Sequence, residues 1–381
     1  MANLLWLNWS GGGNLPPSLG IARALTERGH SVTFAGRPEM VPRVQAAEFP
    51  AIEVTQAYAQ VDRYPAGTPI TNAACYLTSP AVTEELASIV AQQSPDMLLV
   101  DCMFPAAHIV AHEFSGPKAV FCHTFLFHLI DMWRNTIAHW NGMREKAGFS
   151  TLPGADELWR PYDRMIVTTL AEYDTPVIDG WDNVRHAGPV LEDERCAITV
   201  QLPWKANDKR PLVLASFSTA FEQRSVDKVQ RTLDALAPLN VRVVATTAGL
   251  VKSEELEIPA NAVVFPYAQH DAIMKHASLV VMHGGHGTAM RSLKNGVPTI
   301  VMPGLAGDQA PIARTMEEWG AGIALPGDAS VEAIRSAAER IFSDSSYAQT
   351  AQRLSLPFAG VDGAANAADE LESLLGVAAG R

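Results

Sequence analysis

The segment Val281-Met-His283-Gly284-Gly285-His286-Gly287-Thr288 completes the apolar run Ser278-Leu-Val-Val-Val-Met282 and leads into Met290, Leu293 and Lys294-Asn295-Gly296. The run reads as a short buried strand, and the spacing of Thr288, Met290 and Leu293 before Asn-Gly reads as a helix. A glycine-rich turn therefore opens a helix directly after a strand. Such a turn lets backbone N–H groups approach an anion, and the helix N-terminus adds about half a unit of positive charge. His283 strengthens this reading, because an imidazole N–H can donate to a phosphate oxygen. Gly-rich turns also serve tight packing, so the glycines need the histidine beside them to point to a diphosphate.

The same pattern recurs through the second half. Pro211-Leu-Val-Leu-Ala-Ser216 is a strand ending at Phe217-Ser218-Thr219, Val263-Val-Phe265 ends at Pro266-Tyr267-Ala268-Gln269-His270-Asp271, and Pro298-Thr-Ile-Val-Met-Pro303 leads to Gly307-Asp308-Gln309. All of these polar turns lie at the carboxyl ends of predicted parallel strands, where open α/β sheets bind ligands. The first half alternates as well: strands at Leu4–Leu7, Ser31–Ala35, Met97–Val100 and Ala119–Cys122, helices at Leu19–Glu27, Glu84–Ala91 and Ala106–His112. Alternation of this kind builds βαβ units and a parallel sheet. Gln56–Pro80 has no period and is expected to form a mobile wall beside a ligand.

On these residues the chain resembles the family 1 inverting glycosyltransferases of the GT-B fold, the group of bacterial antibiotic and macrolide glycosyltransferases and plant small-molecule glycosyltransferases. His283-Gly-Gly-x-Gly-Thr and Asp308-Gln309 are the most specific parts. The resemblance implies two Rossmann-like doubly wound domains facing across a cleft, with the donor on the second and the acceptor on the first. It implies that His283, Gly285 and the amides near Gly287 and Thr288 hold the diphosphate of a nucleotide-sugar. Ser218 would support that diphosphate, Tyr267 and Ala268 would frame the nucleobase, and Asp308 with Gln309 would bind sugar hydroxyls. The Trp-x-Pro-Gln of many plant members is replaced by Phe265-Pro-Tyr-Ala-Gln, which leaves the base open between UDP- and dTDP-hexose donors. The expected domains are 1–190 for the acceptor, 191–210 as linker, 211–362 for the donor, and 363–381 as a helix crossing back to the first domain.

An inverting transfer also needs a base beside the acceptor nucleophile. In the family this is often a histidine within Gly-His-x-x-Pro after the first strand, supported by an Asp after the fourth. Here Gly11-Gly-Gly-Asn14-Leu-Pro16 puts Asn14 where that histidine would be, while Asp101 in Leu98-Leu-Val-Asp-Cys-Met-Phe-Pro105 matches the supporting Asp. The plain alternative for Asp101 is a cap for the helix near Pro105. Three routes around the missing histidine stand open. A phenolic acceptor could supply its own acidity with Asn14 orienting it, His123 at the end of Ala119-Val-Phe-Cys could enter as the base, or Asp101 could act directly. Phe125 and Trp133 lie on an aromatic stripe from Phe125 to Trp140 that reads first as core and second as the wall of a lipophilic acceptor pocket. The function expected is hexosyl transfer to a phenol, polyketide or similar acceptor. The alternatives are a catalytically silent nucleotide-sugar-binding or partner-assisting relative, for which Asn14 speaks, and another GT-B enzyme such as an epimerase.

The bulk properties agree. At 381 residues, 48% hydrophobic and 18% charged, the chain suits two globular domains. With 29 Lys and Arg against 41 Asp and Glu the net charge is −12, which argues against nucleic acid as a partner. Cys75, Cys102, Cys122 and Cys196 lack the short spacing of a zinc or redox pair. No Asp-x-Asp metal motif of the other major glycosyltransferase fold is present, so neither metal nor cofactor is expected. No apolar run reaches the ~18 to 20 residues of a membrane span, and the first strand begins too early for a secretion signal. A cytoplasmic monomer or homodimer without membrane or nucleic-acid partners is the expectation.

Overall fold

The computed structural model describes residues 1–8, 12–57, 80–146, 148–174, 181–191, 202–205, 207–217, 224–304 and 306–379. Nearly all of the expected mobile wall, residues 58–79, lies outside them, as does Ser218. The chain divides into two compact units, Met1–Glu192 with Val361–Arg381, and Asp193–Gly360. Each is an α/β unit on one parallel sheet.

In the first unit the strands are β1 (Asn3–Asn8), β2 (Ser31–Gly36), β3 (Ala51–Glu53), β4 (Met97–Asp101), β5 (Lys118–Cys122), β6 (Arg164–Val167) and β7 (Val184–His186). They lie in the order β3-β2-β1-β4-β5-β6-β7, all parallel. Chain order reverses between β1 and β4, so the loops after these two strands part there and leave room for a ligand. The described helices are α1 (Leu15–Glu27), α2 (Val41–Ala46), α3 (Pro80–Gln93), α4 (Pro105–Glu113), α5 (Leu126–Lys146) and, from the chain end, Gly363–Ala379.

Strand periodicity sorts the core onto the two faces of this sheet. Leu5, Leu7, Leu98, Val100 and Cys122 face the side of α3, α4 and α5, whereas Leu4, Trp6, Met97, Leu99 and Phe121 face α1 and the C-terminal helix. That last helix buries Ala367, Ala368, Leu371 and Leu374 against the α1 side. Its polar edge is tied down by Arg28 to Asp369 at 2.6 Å and by His30 Nε2 to Glu372 at 3.0 Å, which gives His30 a structural place. Trp6 stacks on Phe34 at 5.5 Å and meets Phe121 edge-on at 5.3 Å, filling the centre of that layer.

The second unit holds β8 (Leu212–Ser216), β9 (Arg242–Thr246), β10 (Ala262–Phe265), β11 (Ala277–Met282), β12 (Thr299–Val301) and β13 (Gly322–Ala324). Their order is β10-β9-β8-β11-β12-β13, again all parallel, with the reversal between β8 and β11. Its helices are α6 (Val226–Leu236), α7 (His270–Met274), α8 (His286–Lys294), α9 (Gln309–Glu318), α10 (Val331–Ser343) and α11 (Ser345–Ser355), which makes the C-terminal helix α12. β8 is buried at every position, as expected of a strand covered on both faces. Among the described residues no helix is long and apolar enough to cross a membrane.

Candidate active site

At the reversal point of the first sheet, four side chains from β1, α1 and β4 bond to one another in a buried chain. Asn14 Nδ2 donates to Asp101 Oδ2 at 2.6 Å and to Asn8 Oδ1 at 2.9 Å. Asn8 Nδ2 donates to Ser18 Oγ at 2.8 Å, and Ser18 Oγ donates to the Asn14 carbonyl at 2.8 Å. Asn8, Ser18 and Asp101 have no exposed surface and Asn14 only 1%. Asn14 occupies the N-cap position of α1 yet makes no side-chain capping bond, because its amide is turned toward Asp101. Both amide hydrogens of Asn14 are therefore committed inside the cluster.

Asp101 ends β4, and its Oδ1 accepts the Met103 N–H at 2.8 Å. The cap position of α4 belongs to Phe104, so the carboxylate shapes the turn before that helix without capping it. His123 follows β5, the next strand, and brings Nε2 to 3.3 Å from Asp101 Oδ1. The parallel pairing of Asp101 with Phe121 sets the two residues at neighbouring strand ends. Asn14, Asp101 and His123, drawn from three separate stretches of sequence, thus form one cluster. His123 Nε2 faces the carboxylate at ion-pair distance, without the alignment of a hydrogen bond to it.

Asp101, Cys102 and His123 also place an oxygen, a sulfur and a nitrogen within 4.8 Å of one another. These atoms are engaged elsewhere. Burial first, and then the contact with Cys122, pushes the Cys102 thiol up, away from the thiolate a metal requires, while Asp101 is held by Asn14 and Met103.

The reversal point of the second sheet is built differently. Gly284 has φ +88°, and a Cβ there would sit 2.8 Å from the Gln309 carbonyl oxygen, so this position requires glycine on both counts. At Gly285 a Cβ would fall 2.6 Å from His283 Nε2; the missing side chain is what lets the imidazole lie over the turn. Gly287, in the first turn of α8, would place a Cβ in open space. Burial, and more weakly the charge of Lys228, brings the His283 pKa down to about 4, so the ring is neutral near pH 7. Its Nδ1 stands 3.5 Å from the Ser216 carbonyl, longer than a good hydrogen bond, so the ring can turn its one N–H to a ligand at little cost.

Around this turn, Gln309 is buried and its Oε1 accepts the Gly304 N–H at 2.6 Å, bracing the loop that carries Asp308. Asp308 stands at the N-cap position of α9, and Thr288 lies within the first turn of α8. Tyr267 is 41% exposed at the end of β10, whereas Ala268 beside it is buried. His270 bonds Thr246 Oγ1 at 3.0 Å and Asp271 pairs with Arg291 at 3.1 Å, which fixes α7 and α8 and leaves that His–Asp pair a structural role.

The expectation for Phe125 and Trp133 is corrected by their burial: they are 0% and 1% exposed. Trp133 stacks on Trp140 at 4.4 Å and meets Trp159 edge-on, inside the α5 core layer. The start of α5 is held by Asp174, which accepts the Leu126 and Phe127 N–H groups at 2.6 and 3.1 Å. An acceptor could reach these two rings only by displacing packed neighbours. Sequence reading also missed Asn8 and Ser18, whose signals, a polar residue closing an apolar strand and a Ser four residues after Asn14, are visible only in hindsight.

A recess of about 1340 Å³ in the second unit is lined by Arg210, Leu212, Arg242 and Ser278 at the amino ends of β8, β9 and β11. Ligands of open α/β sheets bind at the opposite, carboxyl edge.

Residues 230–374 match the family described as erythromycin biosynthesis protein CIII-like, C-terminal domain. Over 253 residues the chain is 29% identical to "UDP-glycosyltransferase 2" of Phaeomoniella chlamydospora, covering 62% of this chain and 54% of that protein. It is 23% identical to "Uncharacterized UDP-glucosyltransferase YojK" of Bacillus subtilis (strain 168), over 97% of each. Among solved structures, CalG4, the calicheamicin glycosyltransferase, superposes with a TM-score of 0.79 at 22% identity, covering 99% of this chain and 98% of that one. With its two parallel-sheet units and these likenesses the chain has the GT-B fold, and it is similar to family 1 glycosyltransferases of the antibiotic and macrolide type.

Proposed function

We propose that this glycosyltransferase moves a hexosyl group, with inversion, from a UDP- or dTDP-sugar to a small lipophilic or aromatic hydroxyl acceptor, without a metal ion. The observation that carries the reading is the Asn14–Asp101–His123 cluster, a buried carboxylate holding an imidazole where the family histidine is replaced by an amide. The UDP-linked relatives support the donor class.

In this reading the acceptor hydroxyl is oriented by Asn14 and His123. Its oxygen attacks the anomeric carbon, the bond from that carbon to the diphosphate breaks, and the hydroxyl proton passes to His123. Asp101 stabilises the imidazolium that forms and does not itself take the proton, since both of its oxygens already accept bonds inside the protein. The nucleoside diphosphate leaves onto the α8 amides and the His283 N–H, fixed dipoles that need no reorganisation. Asp308 and the Gln309 amide hold sugar hydroxyls, Tyr267 lies along the base, and the soluble nucleotide-sugar is a co-substrate with no further cofactor.

The test is turnover with UDP-glucose and dTDP-glucose on a phenol and an aliphatic alcohol, with product configuration read by NMR. The expected product has inverted configuration, and EDTA leaves the rate unchanged. His123→Ala lowers the alcohol rate far more than the phenol rate, because the phenol supplies its own acidity. Asn14→His, set beside Asp101, restores alcohol transfer to the His123→Ala protein. Retention of configuration, or a rate that EDTA abolishes and Mg²⁺ restores, would sink the reading.

A further inference from the structure

Beside His283, at the carboxyl ends of β8 and β9, the second unit has a small recess of about 20 Å³ lined by Phe217, Arg224, Ser225, Lys228, Thr247 and His283. Its two cations differ in one respect. Arg224 is already neutralised, pairing with Glu255 and donating to the Leu250 carbonyl at 2.7 Å. Lys228, rising from the first turn of α6, donates only to neutral groups, the carbonyls of Pro303 at 3.1 Å and Met302 at 3.3 Å. Among the described residues no carboxylate comes within ion-pair distance of it. Its surroundings are shaped to hold it there: a Cβ on Gly327 would meet the Pro303 carbonyl oxygen at 2.3 Å and stand 3.6 Å from the ammonium. Burial first, and then the charge of Arg231, lowers the Lys228 pKa, with Asp328 opposing them from beyond ion-pair distance.

An ammonium has three hydrogens, and two carbonyls take two of them. The carbonyls belong to the end of β12 and the loop toward Asp308, so the charge stands under the loops that the donor reading assigns to the diphosphate and sugar. We infer that Lys228 is the resident cation for the donor's diphosphate, binding its distal phosphate through the third N–H and taking the charge role that a divalent metal has in other glycosyltransferases. This rests on the donor reading above. Its charge adds, after burial, to what keeps His283 neutral.

The experiment is calorimetric binding of uridine, UMP, UDP and dTDP to wild type, Lys228→Gln, Lys228→Met and Lys228→Arg. Gln keeps a neutral donor to the Pro303 carbonyl and removes the charge, so it decides the matter even where Met fails to fold. The expected result is roughly a ten- to hundredfold loss of diphosphate affinity in Lys228→Gln, with uridine affinity unchanged and Lys228→Arg near wild type. Addition of Mg²⁺ recovers part of the loss in Lys228→Gln and does nothing for wild type. Unchanged diphosphate binding in a folded Lys228→Gln protein, or an equal loss for uridine and diphosphate, would overturn the inference while leaving the donor reading in place. If wild type itself bound diphosphate no better than uridine, the donor reading would fall, and the inference with it.

Discussion

The two sheets reverse their strand order in the same way, yet their reversal points are opposite in character. In the first, Asn8, Asn14, Ser18 and Asp101 are buried and bonded to one another at 2.6 to 2.9 Å around a carboxylate. In the second, the central histidine is neutral, its internal contact is 3.5 Å long, Gly287 faces open space, and the near cation lacks a carboxylate partner among the described residues. One reversal point is closed around a buried carboxylate; the other is a turn of glycines beside a neutral histidine. Topology supplies the two places, and the residues at the strand ends decide the character of each.

The comparison is broken most strongly at Asp101. Asp101→Asn keeps the shape, but one carboxamide position becomes an NH₂ set against either the Asn14 amide or the Met103 N–H. Loss of the charge behind His123 is expected to lower kcat/KM on the order of 10² to 10⁴, the range of general-base assistance. The unmatched donors cost about 1 to 3 kcal/mol of stability. Steady-state kinetics beside a denaturant titration separates the two effects, and a folded Asp101→Asn enzyme of normal activity would remove the carboxylate from the mechanism.

On the donor side the effects are smaller and specific to the nucleotide. His283→Ala removes one donor to the diphosphate and should weaken UDP binding by about 1.5 to 3 kcal/mol. Gly285→Ala should mimic it with His283 still present, because the new methyl needs the space 2.6 Å from Nε2 and must push the ring away. Titration calorimetry of both variants should give matching losses. A Gly285→Ala protein that binds UDP normally would mean the ring position is immaterial to the donor.

Acid should act on the buried histidines before it reaches the carboxylates. Burial lowers His108 to about 3, and His270 and His283 to about 4, against 6.5 for a free side chain. Between these values the unfolded chain binds more protons than the folded one, so unfolding gains as protons are added. The stability from these groups is present above pH 6.5 and falls as pH drops from there toward 4. Denaturant midpoints measured at pH 7.5, 6.5, 5.5 and 4.5 should hold steady over the first step and decline over the rest, and a flat series would contradict the lowered pKa values of these rings.

Much of the fold was legible because buried parallel strands are apolar runs. Ser278–Met282 and Pro211–Ser216 were read within a residue or so of β11 and β8. α1 was read four residues late, since Pro16-Pro17 looks like a breaker, although proline suits the first helical turn. The donor turn was legible too, being continuous in sequence. Asn14, Asp101 and His123 were each legible as candidates through the resemblance, but their contact was not: Asn14 and Asp101 are 87 residues apart and meet because β4 lies beside β1. The aromatic stripe of α5 was read first as core, as its burial shows, and second as a pocket wall, because periodicity marks a buried face without saying whether a ligand or a core covers it. Lys228 gave no signal, since its meaning depends on the carbonyls of a strand end 74 and 75 residues away.

The smallest expected effect is the sharpest on the open turn. Gly287 lies in α8 without a positive φ, and a Cβ there meets nothing within 4 Å. Alanine at this position should therefore add helix stability of about 0.5 to 1 kcal/mol and raise the melting temperature of the free protein slightly. If the diphosphate packs on the first turn of α8, the same methyl stands where the phosphate oxygens approach. The melting shift induced by UDP should then shrink in Gly287→Ala while the free protein gains. The two changes run in opposite directions, which a merely destabilising substitution cannot produce. A UDP-induced shift equal to wild type would place the phosphate away from Gly287, and the openness of the turn would then be a matter of the backbone and not of the ligand.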